Sequence, residues 1–164
     1  MIIDYNYLLD FGLPISDELS QERLDRAIQT AENLILQPLL GNDLYIAILN
    51  SILDEDGTYD TYLNGGVVEK TNEHGDLIYA YITGLRAALA HIAYGILLTG
   101  YINATTFGAV LKKDDYSDQA GLDRIRTIGM VNIETGLWYI KEVTDWLGID
   151  NKGKWLPDIH EELI

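Results

Sequence analysis

The segment from about residue 81 to residue 99 constrains the fold most, because the helix that it predicts is apolar on nearly every side. One stripe of that helix would consist of Gly84, Ala88, His91 and Gly95. A helix that is apolar all round is surrounded by other elements. We do not expect it to span a membrane, since the mostly apolar run Ala87–Leu98 covers only twelve residues and a span needs about 20.

A second long helix is predicted from about residue 119 to residue 147, with Gly148 as its stop. Two glycines, Gly129 and Gly136, fall in its interior. An interior glycine costs a helix about 1 kcal/mol relative to alanine, so close approach of another backbone is the simplest reason to keep it. We therefore expect the two long helices to pack antiparallel. The facing residues would be Gly84, Ala88 and Gly95 on the first helix and Gly129 and Gly136 on the second.

Shorter elements lie before the central helix. Helical spacing of apolar residues predicts a helix over about 20–36, with Ser16 or Ser20 as its N-cap. Pro38 and Gly41 are expected to break it, and a second short helix should cover 44–53. Two β-prone runs, 67–70 and 77–79, flank a polar tip and predict a small β-hairpin.

Together these patterns predict a mainly α fold: a bundle of about four helices, two of them long and antiparallel, with a small β-hairpin insertion. One helical domain would cover residues 1–148, with the hairpin near 67–79 and an extended arm over 101–118. A C-terminal tail would follow over 149–164.

The charge balance narrows the function classes. The chain has 26 acidic and 11 basic residues, a net charge of -15, which argues against a broad phosphate-binding surface and against adhesion to anionic lipid. It has no cysteine, so disulfides and thiolate zinc sites are excluded. The acidic N-terminal residues do not resemble a cleaved signal peptide.

No pattern of catalytic or metal-binding residues stands out, and we predict no enzyme, no metal site and no cofactor. The acidic run 54–60 fails as a calcium loop, because Tyr59 and Gly65 fall where glycine and glutamate are required. His74, His91 and His160 are scattered, and His91 is best explained as a core histidine with one hydrogen bond. A glycan hydrolase stays open only if a deep cleft holds two carboxylates.

Aromatic and apolar residues are prominent on segments that have no core of their own. The chain has eleven tyrosines and three tryptophans, side chains that are enriched at protein interfaces. We expect these segments to contact another copy or a partner. The candidate contact residues are Tyr59, Tyr62, Val67 and Val68 near the hairpin, Phe107 and Val110 in the arm, and Trp155, Leu156, Ile159 and Leu163 in the tail.

Several short motifs occur in a familiar order: Leu39-Leu40-Gly41-Asn42-Asp43, Tyr62-Leu63-Asn64-Gly65-Gly66, Gly84-Leu85-Arg86-Ala87-Ala88 and Thr105-Thr106-Phe107-Gly108-Ala109-Val110. Over about residues 28–147 the arrangement resembles head-tail connector (adaptor) proteins of tailed bacteriophages, as found in Bacteroides prophages and crAss-like phages. These motifs are structural, and none carries chemistry.

The resemblance implies a homo-oligomer, a twelve-subunit ring in the virion neck, made in the bacterial host cytoplasm. Its partners would be the portal protein and a tail or second neck-ring protein, and DNA would pass through the channel without specific binding. An acidic wall that repels phosphate suits such a channel. The alternative is an acidic DNA-mimic protein that inhibits a host nuclease, although its carboxylates are scattered along the chain.

Overall fold

The computed structural model describes residues 1–15, 19–72, 74–103 and 119–149. The fold is mainly α with a two-stranded antiparallel β-hairpin inserted, as predicted. In chain order the elements are α1 (Tyr5–Asp10), α2 (Gln21–Thr30), a π-helical segment (Ala31–Leu36), α3 (Gln37–Leu40), α4 (Asn42–Asp54), α5 (Asp60–Asn64), β1 (Gly66–Thr71), β2 (Leu77–Ile82), α6 (Leu85–Asn103) and α7 (Gln119–Trp146).

Helix α6 lies at the centre of the core. Its residues Leu85, Leu89, Ile92 and Ala93 are fully buried, together with side chains of α1, α2, α4 and α7. The prediction of a central helix surrounded by others is therefore confirmed. No helix among the described residues has the length and apolar character that a membrane span needs.

Helices α6 and α7 pack antiparallel at backbone contact. A Cβ added to Gly95 would lie 2.5 Å from the Gly129 carbonyl oxygen, and a Cβ added to Gly136 would lie 2.5 Å from the Ala88 carbonyl oxygen. Residue numbers rise along α6 as they fall along α7, so the helices run in opposite directions. Any side chain at these glycines would force the helices apart.

Gly84 does not belong to this contact, and its predicted place in the stripe is wrong. It precedes α6, with φ of +95°, and a Cβ there would lie 2.7 Å from the Leu63 carbonyl oxygen. The reason is that β2 extends to Ile82, three residues beyond the predicted strand, so that α6 begins at Leu85. Gly84 instead joins strand to helix in a backbone conformation that favours glycine.

The hairpin has the predicted antiparallel register. Val67 pairs with Tyr81, Glu69 with Tyr79 and Thr71 with Leu77. At the tip, Asn72 Oδ1 accepts hydrogen bonds from the backbone N–H groups of His74 and Asp76, at 2.9 and 2.8 Å. The tip is thus closed by a local side-chain turn.

The N-terminal half differs from prediction in two ways. First, the helix that begins after Ser20 does not stop before Pro38 but continues through the π-helical segment and α3 to Leu40. Pro38 is the second residue of α3 and directly follows the π-helical segment, which interrupts the regular hydrogen bonding of the α-helix at that point. Second, α1 and α5 were not predicted, since six and five residues are too few to show helical periodicity.

Candidate interaction surfaces

The outward face of the hairpin carries four exposed apolar or aromatic side chains. Because side chains alternate across a strand, Val67, Leu77, Tyr79 and Tyr81 share the face turned away from the core with Glu69 and Thr71, the partners of Tyr79 and Leu77. We call the four apolar and aromatic residues the hairpin face. Val67 is 66%, Tyr79 62% and Tyr81 72% exposed. Large tyrosine and valine side chains paired across strands in this way stabilise a sheet, and they also form a surface suited to burial.

The opposite side of the hairpin is fixed to the helices. Val68 and Ile82 are buried in the core, and Lys70 Nζ lies 4.7 Å from the centre of the Trp146 ring. The Thr83 backbone N–H donates to Glu142 Oε2 of α7, at 3.3 Å. The hairpin face is therefore presented outward by a hairpin that is anchored to α7.

A second exposed apolar surface runs along α7. Ile128, Val131 and Trp138 are 41%, 53% and 61% exposed. Their spacing of three and seven residues places them on one side of the helix, opposite the buried Ile133, Gly136 and Ile140. We call these three exposed residues the α7 stripe. The indole Nε1 of Trp138 donates to Glu142 Oε1 at 3.2 Å, which holds the ring along the helix.

The predicted contact residues have different positions. Val67 belongs to the hairpin face, whereas the prediction for Val68 is wrong, because strand alternation directs its side chain into the core. Tyr59 and Tyr62 are half-buried against the core, with ring centres 6.5 Å apart. The remaining candidates lie outside the described residues: Phe107, Val110, Trp155, Leu156, Ile159 and Leu163. The same holds for residues 104–118 of the arm and 150–164 of the tail, whereas residues 101–103 of the predicted arm belong to α6.

His91 is half-buried between α6 and α7. Its Nδ1 is 2.8 Å from Asn132 Oδ1, and its ring makes edge contacts with Phe11 and Tyr139, at 5.4 and 5.6 Å between centres. These contacts fit a histidine that packs between helices and keeps one hydrogen bond.

A buried carboxylate was not predicted. Glu32, in the π-helical segment, is 1% exposed, and its Oε1 accepts hydrogen bonds from the Ile2 N–H at 3.1 Å and the Tyr45 hydroxyl at 2.8 Å. Burial, the hydrogen bond and the charge of Glu32 raise the pKa of Tyr45 to about 12. One signal for it is present in the sequence. Glu32 lies four residues after Ile28 and three residues before Ile35, on the same side of the helix as these apolar residues.

The acidic loop after α4 is locally ordered. Asp56 accepts hydrogen bonds from the Ser51 hydroxyl and, at 2.8 Å, from the Thr58 backbone N–H. These bonds lower the pKa of the Asp56 carboxyl. Among the described residues, no group of three or more histidines and carboxylates is arranged to hold a metal ion.

One groove of about 660 Å³ lies where the start of α4 meets the end of α7. It is lined by Leu40, Gly41, Asn42, Asp43, Leu44, Tyr59, Leu147 and Ile149. Most of this described lining is apolar. Asp43 is the one carboxylate among its described residues, whereas a glycosidase needs a pair.

Comparison with known proteins gives a family and no function. No curated protein and no solved structure matches the chain. Residues 36–156, which include the hairpin, α6, α7 and the described residues that line the groove, match the model of a family of unknown function. The chain therefore belongs to the DUF6712 family.

Proposed function

We propose that the chain is a virion structural protein, a subunit of a homo-oligomeric ring at the head-tail junction of a tailed phage, where it acts as a portal adaptor. One observation carries the proposal: a molecule with a complete core of its own exposes two separate apolar surfaces, the hairpin face and the α7 stripe.

Two different surfaces are what a ring requires. A subunit that joins its neighbours head to tail uses one surface on each side, and the contact closes into a ring when the rotation fits. Aromatic residues of the kind found in both surfaces bury about 150–250 Å² each. Specific interfaces bury about 800 Å² per partner, so Tyr79, Tyr81 and Trp138 would form the apolar centre of a larger contact.

The negative charge supports a passage for DNA. A ring of copies that each carry a net charge of -15 would repel the phosphate backbone along its channel. DNA would then slide past without being held, whereas a basic wall would bind it. The portal above the ring and a tail or second neck-ring protein below it are the partners that this position requires.

The test removes the two surfaces one at a time. One variant, Tyr79→Ser with Tyr81→Ser, loses the hairpin face, and another, Ile128→Ser with Val131→Ser, reduces the α7 stripe. Native mass spectrometry, with and without the portal, should show rings for the wild type and for the control Leu53→Ser, whose side chain is exposed outside both surfaces. Neither double variant should form rings.

Mixing the two double variants gives the sharpest outcome. Each keeps the surface that the other lacks, so the mixture should contain heterodimers that cannot grow. Self-dimers of either variant would show that a surface pairs with its own kind and would contradict the head-to-tail arrangement. A wild-type chain that stays monomeric with and without portal would overturn the proposal, and inhibition of a nuclease would favour the DNA-mimic alternative.

A further inference from the structure

The groove between the start of α4 and the end of α7 is the point where the described chain ends. Helix α7 closes with a turn at Gly148, whose φ is +72°. The Ile149 N–H bonds to the Thr144 carbonyl at 2.9 Å and the Gly148 N–H to the Asp145 carbonyl at 3.3 Å, the paired bonds of a Schellman motif. This turn places Ile149 in the wall of the groove.

The chain beyond Ile149 can reach the groove from that point. Fifteen residues follow, and five of them, 150–154, separate Ile149 from the apolar pair Trp155-Leu156. Five extended residues span at most about 18 Å. Gly153 lies among them and allows a sharp reversal of the backbone. Trp155 and Leu156 are therefore within reach of a groove that their own chain has already entered.

The charges next to the apolar pair are complementary to the rim of the groove. Lys152 and Lys154 lie within three residues before Trp155, in a chain with only 11 basic residues. The acidic residues of the same segment lie at its two ends: Asp150, Asp158, Glu161 and Glu162. The groove contains Asp43, and Asp60 follows the groove residue Tyr59; both carboxylates are exposed. An apolar centre with an acidic rim matches an apolar pair that is preceded by two lysines.

We infer that the groove is the seat of the chain's own C-terminal segment, with Trp155 and Leu156 against Leu40, Leu44 and Leu147. The same chain is the occupant, because a segment tethered at the groove wall meets it at an effective concentration in the millimolar range. A second copy would have to compete with that tether. The inference replaces the expectation that Trp155 and Leu156 contact another copy or a partner. It does not depend on the proposed function, which is carried by the hairpin face and the α7 stripe.

Fluorine NMR on the full chain labelled with fluorotryptophan tests the seat. Comparison with Trp155→Phe identifies the Trp155 signal. Leu44→Glu places a charge in the groove and should move that signal to the position of a solvent-exposed tryptophan. Ile46→Glu, at an exposed site on the same helix outside the groove, should leave it unchanged. An identical Trp155 signal in the wild type and in Leu44→Glu would overturn the inference.

Charge reversal provides a variant that does not disturb the core. Asp43 is exposed, so Asp43→Lys should fold normally and shift the Trp155 signal part of the way toward the exposed position. Adding Lys152→Glu and Lys154→Glu to that variant should restore the wild-type position. A Trp155 signal that stays at the wild-type position in Asp43→Lys would contradict the proposed attraction between the lysines and the acidic rim of the groove.

A spin label identifies which copy fills the groove. Because the chain has no cysteine, Ile46→Cys gives a single attachment site beside the groove. A nitroxide there should broaden the Trp155 signal of its own chain. When labelled chains without fluorine are mixed with unlabelled fluorinated chains, the signal should stay sharp. Broadening in the mixture would mean that the tail enters a neighbour's groove, which overturns the assignment to the same chain.

Discussion

Glu32 is the residue whose position is hardest to reconcile with an apolar core. Its Oε1 accepts two hydrogen bonds, from Tyr45 and from the backbone of Ile2, whereas Oε2 is buried and has no hydrogen-bond partner among the described residues. A buried carboxylate oxygen without a donor is costly, so the two donors on Oε1 carry much of the compensation. The N-terminal residues are thereby tied to the helical run that contains Glu32.

Tyr45→Phe tests this polar contact. The variant keeps the ring but removes one of the two donors to Glu32, and we expect the free energy of unfolding to fall by about 1–3 kcal/mol. Urea denaturation measures the change. Tyr81→Phe removes the hydroxyl of a tyrosine that is 72% exposed and should change stability by less than about 0.5 kcal/mol. Equal effects of the two variants would show that the buried hydroxyl has no special role.

The stability of the wild type and that of Tyr45→Phe should respond differently to alkaline pH. The pKa of Tyr45 is raised to about 12 from the ordinary tyrosine value of 10.0, so the folded state favours the neutral phenol. The resulting stabilisation is complete below pH 10 and is lost as the pH rises through 12. Measured across this pH range, the free energy of unfolding should fall more steeply for the wild type than for Tyr45→Phe. Comparing the two cancels the other buried tyrosines, Tyr7 and Tyr94, whose pKa values burial also raises.

At the scale of elements, the α6–α7 contact determines how closely the long helices approach. Glycine is unfavourable in a helix, so replacing Gly136 by alanine would by itself stabilise α7 by about 1 kcal/mol. The added Cβ, however, would lie 2.5 Å from the Ala88 carbonyl oxygen and equally close to Ile92 Cγ1. Backbone cannot yield as a side-chain tip does, so the steric effect should be the larger one.

We therefore expect Gly136→Ala to lower the free energy of unfolding by about 1–3 kcal/mol. Thr135→Ala is the matched control, one residue away, where the hydroxyl bonds only to the Val131 carbonyl of its own helix. It should be neutral or slightly stabilising. Thermal and urea unfolding of both variants measure these changes. An increase in the free energy of unfolding for Gly136→Ala would mean that the helices can move apart without a loss of stability.

Sequence periodicity predicted the elements that are long or that alternate regularly. Helix α7 and the hairpin have their predicted places, and Gly95 meets Gly129 and Ala88 meets Gly136 as expected. The prediction for Gly84 was wrong because the apolar residues before it are compatible both with the end of a strand and with the start of a buried helix. The buried carboxylate of Glu32 and the groove were beyond reach, since both depend on which distant segments meet.

At the scale of the whole molecule, charge opposes the assembly that the apolar surfaces favour. The two ion pairs given by the described side chains, Arg26–Glu22 and Lys141–Asp145, lie within single helices at the surface and contribute little. Copies that each carry a net charge of -15 repel one another on approach.

We expect salt to strengthen self-association. Raising sodium chloride from about 0.05 M to about 0.5 M shortens the screening length several-fold, weakens the repulsion between copies and should therefore tighten their contact. Sedimentation velocity at fixed protein concentration measures this, with the Tyr79→Ser and Tyr81→Ser variant as a monomeric reference. Association that weakens with salt would indicate that ion pairs, not apolar contacts, join the copies.

The π-helical segment has a consequence for how this chain tolerates changes in length. Each of its turns holds one residue more than an α-helical turn would. Deleting a single residue between 31 and 36 and restoring ordinary α-helical winding would leave the upstream residues in nearly the same rotation relative to α3, because the wider turn holds the additional residue within the same rotation. Leu24 and Ile28 would keep their places in the interior, whereas a deletion within the α-helical part of α2 would rotate everything upstream of it by about 100°. The π-helical segment thus accommodates one residue of length without a change in the angular phase of the helix.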